Sequence, residues 1–354
     1  AAKERERDSL GNQISLAEDE LVEDVDVNAL AREIDRLKGF IDGAGYQRLY
    51  SYHEVLFPTQ LGPINFVPRL GGGVLYYSEI ENSAGSDSLD RGIFHAGFDL
   101  STKWTKEFDD LQAPKLGLDG LRHIVQPYMN YSYVHADEIG EGRLDPRIDG
   151  GITSTKPRPI DVPLFSSIDS IEPWNIVRVG VRHTLQTRRD EKNLREKKTY
   201  SWLTFDTYLD SYIDDPEFDR DFSNVHNYIS WRPVPWFKLE VDSQFPIDDN
   251  PENFSELNTD VSWTPHDRLN LSFSHALLQD HPVFVDSSRF SFSSFLRLSE
   301  NWGFSTSHSF EAEEGELESQ SYRVHRDLTS WMGSLGAVHI NNVGAEDEIG
   351  FVLA

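Results

Sequence analysis

The stretch SSRFSFSSFLRLSENWGFSTSHSF, residues 287–310, places Phe290, Phe292, Leu296, Leu298, Trp302, Phe304 and Phe310 at even positions, with mostly Ser and Arg between them. A period of two is the mark of a β-strand with one apolar face, because successive side chains point to opposite sides of a pleated sheet. The chain therefore builds a sheet with one apolar and one polar face, and its surroundings must differ on the two sides.

The same period extends outward in both directions. RGIFHAGFDLSTKW (91–104) puts Phe94, Ala96, Phe98, Leu100 and Trp104 on one face, with His95, Gly97, Asp99, Ser101 and Lys103 on the other. PWFKLEVDSQF (235–245) sets Phe237, Leu239, Val241 and Phe245 against Lys238, Glu240, Asp242 and Gln244, and RLNLSFSHALL (268–278) repeats the pattern. From Tyr46 onward the spacing predicts about fifteen strands of roughly 8 to 13 residues, longer than the usual five or six and matched to the nine to eleven that cross a bilayer at a tilt. Several connections are short, RPVPW, TPHDR and SENWG among them, whereas EIENSAGSDSLD, residues 135–163, RRDEKNLREKK, DSYIDDPEFDRD and DDNPEN are long and polar. Short turns at one end and long polar loops at the other characterise outer-membrane barrels. The fold expected is all-β, an antiparallel outer-membrane β-barrel over residues 46–354 with its last strand cut. The apolar face would meet lipid and the polar face a lumen. Trp174, Trp231, Trp236, Trp263, Trp302 and Trp331, near strand ends, read as interfacial girdles.

Composition narrows the function. Only 38% of residues are apolar, and no run approaches the roughly 18 to 20 apolar residues of a spanning helix. The formal charge of −27 argues against a nucleic-acid partner. Cysteine is absent, excluding thiol catalysis and thiolate metal sites. Residues 1–45 are highly charged, and Leu30, Ile34, Leu37 and Ile41 at helical spacing, followed by Gly43 and Gly45, predict one short amphipathic helix or linker. The chain begins without Met and ends in the strand-like GFVLA, so it reads as a piece of a longer protein.

No catalytic constellation stands out, and the chain reads as a non-enzyme. The twelve His residues include no HExxH spacing, and His95, His183, His275 and His325 fall within alternating strands. The acidic loops offer oxygen ligands for Mg²⁺ or Ca²⁺ but lack the ordered spacing of a calcium loop. Gly71, Gly72 and Gly73 lie inside a strand pattern with no following helix, which suits a close backbone approach rather than a phosphate cradle.

The runs YHEVLFPTQLGPINFVPRLGGGVLYY, LRHIVQPYMNYSYV, SNVHNYISWRPVPWFKLEVDSQF and SYRVHRDLTSWMGSLGAVHINN, in this order, resemble the barrel of the LPS-assembly protein family, also called organic-solvent-tolerance proteins. The most specific elements are His123 and Pro127 ahead of Tyr131 and Tyr133, and the Asp327-x-x-x-Trp331 element. The resemblance implies a barrel that receives lipopolysaccharide from periplasmic bridge proteins, surrounds a plug lipoprotein, and releases the lipid sideways into the outer leaflet between its first and last strands. Pro58, Pro63 and Pro68, near the first strands, read as ordinary strand starts or edges or, as the resemblance implies, as residues that weaken that seam, since proline gives no ladder donor. Inward-facing Arg178, Arg182, Lys238 and Arg323 are candidates for contact with sugar phosphates, or for pairing with lumen carboxylates. A passive porin and a soluble β-rich carbohydrate-binding protein are the two other readings of the same pattern.

Overall fold

The computed structural model of the chain describes residues 47–78, 88–137, 154–157, 159–165, 168, 171–189, 197–215, 220–248, 254–341 and 348–353. The helix expected before residue 45 lies outside them. The strands are β1 (Arg48–Leu56), β2 (Thr59–Leu61), β3 (Ile64–Tyr77), β4 (Leu89–Thr102), β5 (Trp104–Ala113), β6 (Leu118–Ala136), β7 (Trp174–Arg189), β8 (Lys198–Asp214) and β9 (Val225–Val234). They continue as β10 (Phe237–Phe245), β11 (Ser255–His266), β12 (Leu269–Gln279), β13 (Ser287–Arg297), β14 (Trp302–Glu311), β15 (Glu316–Asp327), β16 (Met332–Ile340) and β17 (Glu348–Leu353). All seventeen join one antiparallel sheet in which nearly every strand pairs with its sequence neighbours. The chain β4–β5 acts as one long strand: β4 pairs with the second half of β6 and β5 with the first half. Among the described residues, β1 pairs with β3 alone and β17 with β16 alone, so the sheet is open between them.

The two additional strands, β2 and β5, have physical reasons for escaping a periodicity reading. β2 has three residues, too few for a period. β5, with the sequence WTKEFDDLQA, is charged where strands are usually β-branched or aromatic, and it forms an edge beyond the β2–β3 hairpin, with every residue but the last exposed.

The register assigns the faces. Row by row, Leu70 stands beside Ala96 and Ala96 beside Tyr133, while Phe273 stands beside Phe292. This face includes Val74, Phe94, Val179, Phe273, Phe292, Phe310, Val324 and Leu335, all exposed. Within it, Phe66, Phe98 and Tyr131 form a row of ring contacts at 5.8 and 5.5 Å, worth about 0.5–1.5 kcal/mol per pair beyond area burial. The opposite face holds Glu54, Arg69, His95, Asp99, Asn130, Arg178, Asp210, Asp242 and rows of serine. Ser272, Ser293, Ser307 and Ser321 stand side by side across β12 to β15. In the opening stretch all the even apolar residues of β13 and β14 share the first face. Phe295, at an odd position, lies on the polar face over Gly303, where a Cβ would come within 2.8 Å of its ring.

The connections sort by end. Residues 235–236, 267–268, 298–301 and 328–331 are tight turns at one end, and 78–88, 137–173, 215–224 and 246–254 are the long links at the other. The charged stretch RRDEKNLREKK departs from the expected division, because its link between β7 and β8 falls at the short-turn end.

The cluster of buried apolar side chains lies on the polar face near the long-link end. Ile160, Val162 and Ile171, from the β6–β7 link, pack with Ile93, Val134, Ala136, Trp174 and Ile176. This link acts as a strap. Ser132 donates to the Ile160 carbonyl at 2.5 Å, Gln244 on β10 donates to the Thr155 carbonyl at 2.7 Å, and the buried Arg91 donates to the Ile171 carbonyl. Trp174 is thereby corrected as a girdle residue: it is 1% exposed, stacks on Phe165 at 5.2 Å, and donates to Ser132. The other five tryptophans expected in the girdle fall near the short-turn end, where Trp236, Trp263, Trp302 and Trp331 are well exposed.

Gly97 marks the closest backbone approach between β4 and β6, since a Cβ there would meet the Tyr131 carbonyl at 2.4 Å. Gly97→Val is expected to destabilise the sheet by about 1–3 kcal/mol through overpacking, measured as a lowered midpoint in denaturant unfolding. Gly350→Val, where a Cβ meets nothing within 4 Å, should leave the midpoint unchanged.

Candidate functional site

The polar face carries the chemistry, and its character changes across the sheet. On β3, β4 and β6 it is a buried network. Arg69 pairs with both Asp99 and Asp161, and Asn130 also donates to Asp99. His95 is fully buried, its Nδ1 3.0 Å from Tyr52 Oη and 3.3 Å from Glu54, its Nε2 3.1 Å from Ser132 Oγ. Ser132 in turn receives Trp174 Nε1 at 2.9 Å. Glycine makes room for these groups: a Cβ at Gly71 would strike the Tyr52 hydroxyl at 2.1 Å. Asp161 belongs to the strap, and burial pushes its carboxyl above the usual carboxylate range, against the pull of Arg69.

On β7 and β8 the face becomes a ladder of ion pairs. Arg178 grips Asp210 with two hydrogen bonds of 2.7 and 2.8 Å, and Arg182 grips Asp206 at 2.9 and 2.5 Å. Tyr128 donates to Asp206 at 3.0 Å, and the Arg178 guanidinium lies 4.5 Å from the Tyr208 ring centroid. Gly180, between the two arginines, leaves space for both rings, since a Cβ there would come within 2.5 Å of Tyr128. On β10, Lys238 pairs with Glu240, which also accepts from Tyr228 at 2.9 Å. Three of the four candidate cations are thus held by carboxylates.

Arg323 differs. It is exposed on β15, has no carboxylate partner among the described residues, and its stem lies over Gly336. It borders a shallow pocket of about 340 Å³ lined by Ser272, Ser293, Phe295, Ser305 and Ser321. From β12 to β15 the polar face is therefore rich in hydroxyls, with Arg289 and Glu318 paired at 2.8 Å near the other end of the strands.

The other sequence candidates are spread apart. Pro58 and Pro63 flank β2 in the β1–β3 connection, and Pro68 lies within β3 opposite Phe98. The Pro68 carbonyl accepts from Phe57 N–H at 3.0 Å. N–H and C=O of one residue point to the same side of a strand, so the donor missing at Pro68 faces the place where β1 gives way to β2. Pro68 thus sits one strand inside the β1 edge, whereas Pro58 and Pro63 lie at the edge itself. His123 and Pro127, with Tyr131 and Tyr133, all lie on the apolar face of β6. Asp327 and Trp331 bracket the β15–β16 turn, where the Asp327 carboxylate accepts Thr329 N–H at 2.8 Å and Thr329 has φ +74°. That geometry explains Asp at the turn start. Most of the acidic links lie outside the described residues; among the described ones no group of three or more His, Asp or Glu could hold a metal ion.

Sequence reading missed the Arg69–Asp99–Asp161 and Tyr52–Glu54–His95–Ser132 networks. Arg69 and Asp161 are 92 residues apart, and the only local signal was a charged residue on the polar side of a strand beside glycines.

Arg178→Met leaves the nearly buried Asp210 carboxylate unpaired and is expected to cost about 3–5 kcal/mol. The double variant Arg178→Met with Asp210→Leu should recover most of that loss, as read in a denaturant titration.

Comparison with protein-family models and with curated proteins finds no match for this chain.

Proposed function

We propose that the chain is the greater part of an outer-membrane β-barrel that moves an amphiphile between leaflets, and that it acts in lipopolysaccharide assembly. The observation that carries the membrane reading is the register itself. An exposed apolar face extends across the sheet from β1 to β17, while charges, hydroxyls and the buried core lie on the other side. A water-soluble sheet of this width would bury the apolar face and expose the polar one; lipid reverses the assignment. Exposed tryptophans at the short-turn end suit an interfacial belt.

The lipopolysaccharide reading rests on the family-like runs together with two features that suit it. The open edges of β1 and β17 provide a seam through which acyl chains stay in lipid while a sugar head travels along the polar face. The Ser-rich floor with Arg323 offers hydroxyl and cationic contacts to a phosphorylated glycan. A plug lipoprotein and periplasmic bridge proteins are the partners this reading calls for; it requires no enzyme activity.

The decisive experiment extracts the full-length protein from outer membranes in mild detergent and identifies bound lipid and co-purifying polypeptide by mass spectrometry. Lipopolysaccharide with a small lipoprotein in near-equal amount is the expected result. A detergent-extracted barrel carrying neither would overturn the assembly reading in favour of a channel, and recovery in the aqueous fraction would overturn the membrane reading. A second measurement addresses the faces directly. In folding titrations into lipid vesicles, Phe292→Arg should cost about 2–4 kcal/mol and the adjacent Ser293→Arg close to nothing; equal effects would assign lipid to neither face.

A further inference from the structure

The apolar face carries one cationic cluster that the lumen chemistry does not use. Lys106 on β5 stands directly opposite His123 on β6. His123 Nε2 lies 3.0 Å from His183 Nδ1 on β7, with the rings stacked at 5.3 Å. The exposed rings of Trp104 and Phe108 flank Lys106 on the same face of β5, and its Nζ lies 5.0 Å from the Phe108 centroid. The same cross-strand row continues through Leu185 and Leu203 to Trp231, close to the short-turn end of β9.

Lys106 is a cation on the apolar face of a chain whose net charge is −27. Among the described residues it has no carboxylate partner. Of the acidic residues on β5 and β6, Glu107 pairs with Arg122 at 2.9 Å, Asp109 with Arg188 at 3.5 Å and Asp119 with Lys197 at 2.6 Å, while Asp110 stands four residues beyond Lys106 on β5. The histidine pair adds donors. When both rings are neutral, one N–H is spent in the shared hydrogen bond, and whichever tautomer forms, one further N–H remains free at His123 Nδ1 or His183 Nε2. A protonated pair offers two.

Resting on the barrel reading above, we infer that Lys106, His123 and His183 form an outward-facing site for the phosphate of an anionic phospholipid headgroup at the short-turn end of the sheet. Lys106 and His123 are a directly opposed pair on adjacent strands, so an ammonium and an imidazole N–H are offered to a phosphate from neighbouring positions on one face. The apolar residues around it favour a lipid over free phosphate. Val125 lies opposite Trp104 and Leu121 opposite Phe108, so an acyl chain attached to the bound phosphate would run along apolar surface. Trp104, 62% exposed, adds an indole beside the cluster on the same face.

The test inserts the full chain into phosphatidylcholine nanodiscs with and without phosphatidylglycerol and counts retained lipids by native mass spectrometry. Wild type is expected to retain phosphatidylglycerol preferentially. Lys106→Gln should weaken that retention about fivefold, the equivalent of about 1 kcal/mol for one interfacial cation, and His123→Gln with His183→Gln should weaken it further. Lys103→Gln, outside the cluster, should have no effect. Equal loss in Lys103→Gln, no preference in the wild type, or displacement by millimolar inorganic phosphate would overturn the site while leaving the barrel reading intact. Failure of the wild type to enter either nanodisc would overturn both.

Discussion

An unbroken antiparallel register ties every side chain of this sheet to one of two faces. Because the pleat alternates strictly, a slip of one residue between any two strands would move serines and carboxylates among phenylalanines along a whole strand. The rows leave little freedom to do so. Ser272, Ser293, Ser307 and Ser321 meet across four strands, and Arg178 and Asp210 meet only in the register observed. The irregularities are local: register shifts at β5–β6, β7–β8, β9–β10, β11–β12 and β14–β15 each absorb a break without exchanging the faces.

The strap from the β6–β7 link is the second constraint. It adds Ile160, Val162 and Ile171 to the apolar residues that β4, β6 and β7 place on this face, and it reaches from the Arg69 network on β3 to Gln244 on β10. Polar groups of β3, β4 and β6 that would otherwise meet water are covered and must be satisfied by one another. That requirement accounts for the density of hydrogen bonds around Ser132, which touches His95, Trp174 and the Ile160 carbonyl.

Period two in the sequence was enough to predict nearly every long strand, the antiparallel class and the composition of both faces, because alternation is a local property written in adjacent residues. Phe290, Phe292 and Phe304 could be assigned to one side without any knowledge of their partners. What escaped had nonlocal or nonperiodic causes. β5 is an edge strand whose charges obscure its pattern, and Trp174 looks like any other strand-end tryptophan until the strap folds over it. The pairing of Arg178 with Asp210 needed a register, and that of Arg69 with Asp161 needed the path of a link that has no period. Arg323 was legible as an inward cation, but its lack of a carboxylate partner among the described residues was not.

The division of the polar face into a strapped, ion-paired part and a serine floor has a mechanical consequence. From β3 to β10, Arg and Tyr side chains cross-link neighbouring strands through groups that resist shear. From β12 to β15, contacts such as Ser307 to Ser321 at 2.8 Å join side chains of only two heavy atoms, which fill little space and transmit little force. The sheet is therefore braced unevenly: bidentate ion pairs and the strap tie the strands on the β3–β10 side, whereas the serine strands lead without a strap to the edge at β17.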